Sequence, residues 1–326
     1  MTATHSALFA FSCLLVSVVA RTSSAQTIYW TDLGTSKIQR VDLSAGVVED
    51  LVTSPQVFSP VDIALDLAGG KMYWTDSALG DLNIVRADLD GSNVQPLIFH
   101  VNTPSGIALD VSGGKMYWTD IAAGKIQRAN LDGSGLEDLV IQPAVQSPVD
   151  IALDLVGNKF YWTESTPADF MILRADLDGN NVELLVTGLI SPSGIALDVP
   201  GGKIYWTDLG SDKIQRANLN GSGVEDLVTT SIFEPVGIAL DLPAGKMYWT
   251  DASPGDFYLH RADLDGSNRE LFVTGLLSPS GIALALRPEG VPTLSEWGLV
   301  WMTLTLVALG AVLLISPRDL RANSMD

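Results

Sequence analysis

Cysteine, histidine and positive charge are all scarce in this sequence. Its 326 residues hold one cysteine, Cys13, and three histidines, and Cys13 and His5 both fall within the first 25 positions. The remainder has no cysteine and only His100 and His260, which excludes disulfides, thiol nucleophiles and Cys/His zinc sites there. Lysine and arginine total 19 against 38 aspartate and glutamate, a formal net charge of -19. Without a basic surface the counterion release that dominates non-specific nucleic-acid affinity is missing, so no polynucleotide partner is expected. Charged residues make up 17% of the chain and apolar ones 47%. That balance is too hydrophobic for disorder and sufficient for a sizeable core.

Long apolar runs occur only at the two ends. Residues 7–20, ALFAFSCLLVSVVA, are too short to span a bilayer comfortably, and polar RTSSA follows them. Residues 1–25 therefore read as a signal peptide, with Ser23 and Ala25 at the small-residue positions before cleavage at Gln26. The basic segment usual in front of such a run is absent, and Cys13 reads as apolar filler. Near the other end, Trp297 to Ile315 is uncharged over 19 residues and is followed by Arg318 and Arg321. That pattern predicts a transmembrane helix over 297–315 with a cytoplasmic basic tail and everything before it outside. The stretch VPTLSEWG in front, with Pro292, Thr293, Leu294, Trp297 and Gly298, resembles the IPTL type of C-terminal sorting signal of Gram-negative bacteria. The resemblance implies processing by an exosortase-type membrane enzyme; a plain C-terminal anchor is the other reading of residues 289–326.

The middle of the chain is one unit written six times. Tyr-Trp-Thr starts at Tyr29, Tyr73, Tyr117, Tyr161, Tyr205 and Tyr248, at spacings of 44, 44, 44, 44 and 43. The tetrads are completed by Asp32, Asp76, Asp120, Glu164, Asp208 and Asp251, and their tryptophans are Trp30, Trp74, Trp118, Trp162, Trp206 and Trp249. Ile-Ala-Leu recurs in step, ten residues ahead of each following Tyr, and one arginine and usually one lysine keep fixed places in every unit. Each unit parses into four short strands separated by Gly-rich turns, and Asp-Gly pairs supply the positive φ that tight hairpins need. Alternating β-branched runs rule out a helical repeat. Units of this length and strand count predict an all-β fold, a six-bladed β-propeller over residues 26–288.

The five intact Tyr-Trp-Thr-Asp tetrads, each followed by an Arg-Ala-Asp/Asn-Leu or Arg-Val-Asp-Leu segment, resemble the class B (YWTD) repeats of the low-density lipoprotein receptor across residues 26–287. That family implies a single six-bladed propeller in which the tetrads are structural, the aromatics packing between blades and the Asp forming hydrogen bonds there. Period-two alternation agrees, because it puts Tyr and Thr on one face of a strand and Trp and Asp on the other, and neighbouring blades cover both faces. Glu164 departs from the pattern. The mature chain begins on a second strand, and its last repeat element is a solitary first strand, Ser280 to Leu286. That strand is expected to complete the first blade and close the ring without a disulfide.

Function is expected on the rim where strands two to three and four to one connect, since all length variation falls there and the units form three related pairs. Phe58, Phe99, His100, Asn102, Phe233 and Glu234 break the repeat most and are the candidate ligand-binding residues. Packing beneath the loop is the ordinary expectation for any one of the phenylalanines, and exposure as an anchor the alternative. Asp62 and Asp150 stand at the channel mouth where the related sixth unit has Gly237, a weak pointer to a cation because blades that are not adjacent separate the two. No Ser-His-Asp or metal-triad spacing and no phosphate-cradling loop occur, so no catalytic residue, cofactor or metal site is assigned. The reading is an exported, envelope- or surface-associated binding propeller whose partner is an unidentified extracellular protein or surface polymer. Residues 26–288 carry 34 acids against 16 bases, which favours cationic partners. A purely structural surface component and a metal-dependent propeller hydrolase or lyase, of the lactonase kind, are the alternatives.

Overall fold

The computed structural model describes residues 25–286 apart from 79–82, 167–168 and 253–256. The expected signal peptide, sorting motif and C-terminal helix lie outside the described residues, among which no helix is long and apolar enough to cross a membrane. Among the described residues twenty-four strands form six four-stranded antiparallel sheets. Five of these blades are continuous in sequence, with innermost strands Pro60–Asp66, Pro104–Asp110, Pro148–Asp154, Pro192–Asp198 and Pro235–Asp241 for blades two to six. Blade one combines Ala25–Asp32, Lys37–Asp42 and Val48–Thr53 with the last strand, Pro279–Leu286, as its innermost member. Ile282 lies opposite Trp30 and Leu284 opposite Ile28. The innermost strands are neighbours in one closed cycle, so the ring has six blades and shuts in the expected way.

Its hydrophobic interior is a set of six seams. In the strand Lys71–Asp76 every residue from Met72 to Asp76 is buried, on both faces. One face of each blade meets the opposite face of the next: Tyr29, Ile38 and Val52 of blade one pack with Met72, Trp74 and Val85 of blade two. The closing seam sets Tyr248, Leu259 and Val273 against Ile28, Trp30 and Ile282. All six tetrad tryptophans are wholly buried. The aromatics thus pack between blades as the resemblance implies.

The threonines of the tetrads act as bridges between blades, a role the sequence did not reveal. Each Oγ1 accepts the N–H of an innermost-strand residue in its own blade and donates to a carbonyl in the next. Thr119 accepts from Gly106 at 2.9 Å and donates to Val149 at 2.8 Å; Thr31, Thr75, Thr163, Thr207 and Thr250 repeat this. Thr119→Val strands a buried donor and a buried acceptor, and is expected to cost about 2–3 kcal/mol in a urea titration. A loss under roughly 0.5 kcal/mol would show that the bridge adds nothing. On the opposite side of the ring the repeat arginines make a second set of ties. Arg40, Arg86, Arg128, Arg174 and Arg216 donate to the carbonyls of Leu89, Leu131, Leu177, Leu219 and Leu264 in the following blade.

Candidate functional site

The tetrad acid fixes the rim. Each connection into an innermost strand passes over the carboxylate of the second strand in the same blade, which accepts backbone N–H groups from it. Asp76 takes Phe58 and Ser59, both at 3.0 Å, and Asp120 takes Asn102 at 2.7 Å and Thr103 at 3.0 Å. Asp208 takes Ile190 at 3.0 Å, Asp251 takes Phe233 at 3.2 Å and Asp32 takes Leu277 at 3.1 Å. Glu164 does the same for Gln146 and Ser147, and its longer side chain also accepts from Trp162 Nε1 at 3.1 Å. The acids therefore hold the connections between blades.

That clamp sorts two neighbouring side chains. The residue before each clamped N–H turns inward: Val57, Val101, Val145, Ile232 and Leu276 are buried and Leu189 is half-buried. The clamped residue turns outward. Around the ring this position is Phe58, Asn102, Gln146, Ile190, Phe233 and Leu277, all exposed. Three of the six candidate residues, Phe58, Asn102 and Phe233, thus prove to be structural equivalents in three connections.

The other three lie nearby on the same rim. Glu234 follows Phe233 with a φ of 48°, and its N–H donates to Asp212 at 2.8 Å. Phe99 ends the outermost strand of blade two, and His100 follows it with a φ of 62°. Their rings are tilted 6.5 Å apart. The packing expected for the phenylalanines is not found. Phe58, Phe99 and Phe233 are 46%, 56% and 57% exposed, because the aliphatic residue beside or near each already fills the space beneath. Sequence reasoning missed Ile190 and Leu277, which resemble ordinary repeat residues; counting back five positions from each Ile-Ala-Leu would have found them.

Beneath the rim, the starts of the innermost strands line a channel cavity of about 100 Å³. Its only ionisable lining groups among the described residues are Asp62 and Asp150. Asp62 accepts from Ile107 N–H in blade three at 2.8 Å, and Asp150 from Ile195 in blade five at 2.7 Å and from its neighbour Ile151. Close approach explains the alternation with glycine. A Cβ on Gly281 would stand 2.4 Å from Asp62 Cα, and one on Gly106 2.5 Å from Asp150 Cα. Burial pushes Asp150 up to about 7. Burial, and then the charge of Asp150, hold Asp62 well above the ordinary carboxylate range. Among the described residues no three His, Cys, Asp or Glu are grouped to hold a metal. His260 serves packing, stacked 5.2 Å from Trp249, with its pKa lowered by burial.

Comparison with known proteins places these features. The model of the low-density lipoprotein receptor repeat class B matches residues 70–111, 114–155, 202–242 and 245–284. A 73-residue stretch is 40% identical to nidogen-2 of Mus musculus, covering 22% of this chain and 5% of that protein. The chain therefore spans a small fraction of this relative. A solved nidogen/laminin complex contains a chain similar to 80% of this one and 98% of itself, with a TM-score of 0.70 and 24% identity. A gluconolactonase of Xanthomonas campestris is similar over 70% of this chain and 86% of its own, with a TM-score of 0.58 and 17% identity. At those identities the two structures show a shared fold.

Proposed function

This chain belongs to the low-density lipoprotein receptor repeat class B family, and from that premise we propose that it is a non-catalytic binding propeller working outside the cytoplasm. The observation that carries this reading is the rim. Six connections are clamped by the same carboxylate geometry while the side chains they turn outward differ, which is how a rigid scaffold supports recognition. The nidogen relative, solved with laminin, supports a binding role. The pairing of Ala25 with Leu286 puts both described ends on the face opposite the rim. An anchor formed by residues 297–315 and handled by an exosortase-type enzyme would then leave the rim facing away from the membrane. The partner proposed is an extracellular protein or a surface polymer.

The test compares capture of envelope components by the full-length protein and by a variant whose 99–104 and 231–235 connections are replaced with those of other units. Capture that depends on these connections supports the reading, and equal capture by both proteins rejects the rim. The hydrolase alternative rests on the gluconolactonase likeness in fold and on the channel carboxylates. It predicts a thermal shift and a stoichiometric bound ion on addition of Ca²⁺ or Mn²⁺. With two carboxylates and no third ligand grouped beside them among the described residues, neither is expected.

A further inference from the structure

We infer that the clamped rim position forms a one-sided apolar arc that docks a segment of another protein bearing apolar side chains flanked by Lys or Arg. The inference rests on the binding reading above and names its surface and partner chemistry. Taken in ring order, the six clamped residues divide in two. Ile190, Phe233, Leu277 and Phe58 occupy four consecutive connections, from blades four/five round to blades one/two, and are 54%, 57%, 55% and 46% exposed. Asn102 and Gln146 occupy the remaining two. The clamp makes this contrast meaningful, because in every connection the N–H of this one position is held by the tetrad acid while its side chain changes. Four large apolar groups held outward by buried carboxylates are pre-organised for contact and lose little freedom on binding.

Charge selects the occupant. With a net charge of -19, a second copy or an anionic lipid surface is repelled, whereas a cationic partner is steered in. Close to the arc, the exposed Glu234 adjoins Phe233, and Asp212 reaches the same connection. Lys37 follows Ser36, which donates to Phe58 O, and Lys213 follows Asp212; the two lysines are paired with Asp50 and Asp226 at 2.6 and 2.7 Å, and the exposed Arg269 donates to the carbonyls of Thr230 and Ser231. An apolar contact bordered by carboxylates fits a peptide in which Leu, Ile or Phe alternate with Lys or Arg. Phe99 and the exposed Ile141 stand apart, at the ends of outermost strands.

The test is a random peptide library displayed on phage and sorted on the full-length protein. Enriched peptides are expected to combine aliphatic or aromatic residues with Lys or Arg, and to bind more weakly as salt rises. A fourfold variant, Phe58→Asn, Ile190→Gln, Phe233→Asn and Leu277→Gln, places on the arc the residue types already found at Asn102 and Gln146. It should keep its melting temperature and lose at least about tenfold in affinity, while Val156→Ser, on an exposed turn of the face opposite the rim, leaves affinity unchanged. Each single arc variant is measured as well, so that a fold defect in the combination leaves the comparison intact. A library that enriches no apolar–basic peptide, or peptides that bind the arc variants as tightly as the parent, overturns the arc. Peptides lost with a separate Phe99→Ser/His100→Ala variant and not with the arc variants would overturn the arc and leave a binding rim standing, and the connection-exchange experiment judges that wider reading separately.

Discussion

Removing Pro279–Leu286 unfolds all six blades together. This strand joins the two ends of the described chain in one sheet, and three kinds of interaction meet in it. It pairs with Ala25–Asp32 over most of its length. Gly281 N–H donates to Thr31 Oγ1 at 2.9 Å, Thr250 Oγ1 donates to Ser280 O at 2.6 Å, and the adjoining Leu277 N–H donates to Asp32 at 3.1 Å. Ile282 fills the seam between Trp30 and Tyr248. Without the strand, blade one loses its innermost member, blades six and two lose a neighbour, and two sheet edges open to water. Each ladder bond is worth about 1 kcal/mol, and an opened seam exposes an indole and several aliphatic side chains at roughly 2–5 kcal/mol each. The sum is comparable to the whole stability of a domain, about 5–15 kcal/mol. Near-ultraviolet circular dichroism of the truncated protein should show no fixed tertiary signal, with no cooperative melt. Retention of the parent melting temperature would mean that the ring does not depend on its closure. Ile282→Ala, a milder lesion in the same seam, should cost about 2–5 kcal/mol and stay folded.

The architecture could be read from the chain because every blade repeats it: six tetrads at nearly constant spacing, turn glycines in step, and a lone first strand at the end. What escaped was set by three-dimensional placement. Thr119 and its five equivalents alternate in the strand as any inward residue would, and nothing local says that their hydroxyls reach into the next blade. Ile190 and Leu277 were hidden because connection lengths vary, so that equivalent positions align only when counted back from Ile-Ala-Leu. The outward turn of Phe58 and Phe233 follows from Val57 and Ile232 taking the space beneath, which depends on the register of the clamp. Asp62 and Asp150 stand out in the sequence because Gly237 replaces them in the sixth unit, yet their shared confinement appears only when blades two and four face one channel.

That confinement carries the second large effect. Converting Asp62 and Asp150 to asparagine stabilises the protein at neutral pH and flattens its pH dependence. In the unfolded chain both carboxyls titrate at about 3.9. In the fold burial raises Asp150 to about 7 and, together with the charge of Asp150, lifts Asp62 well above the ordinary range. Between these limits the folded protein binds more protons than the unfolded chain, so unfolding free energy falls as pH rises. The stability associated with the neutral pair is fully present below about 3.9 and is lost as pH climbs through about 7. Carboxylates held by lysines, such as Asp50, Asp138 and Asp226, are shifted down by Lys37, Lys125 and Lys213. Their contribution disappears only as pH falls below the ordinary carboxylate range, so the two groups act in separate windows. Among the described residues the rest of the channel lining is valine, serine and glycine, so no cation there offsets the pair. Asparagine Oδ1 can still accept from Ile107 and Ile195, preserving the backbone contacts while removing the buried charge. The double variant should therefore gain a few kcal/mol over the parent at about pH 8 and little at about pH 4, as measured by urea unfolding across that range. A variant less stable than the parent at the higher pH, or one that keeps the parent's slope, would show that the two carboxylates are not the source of the pH dependence.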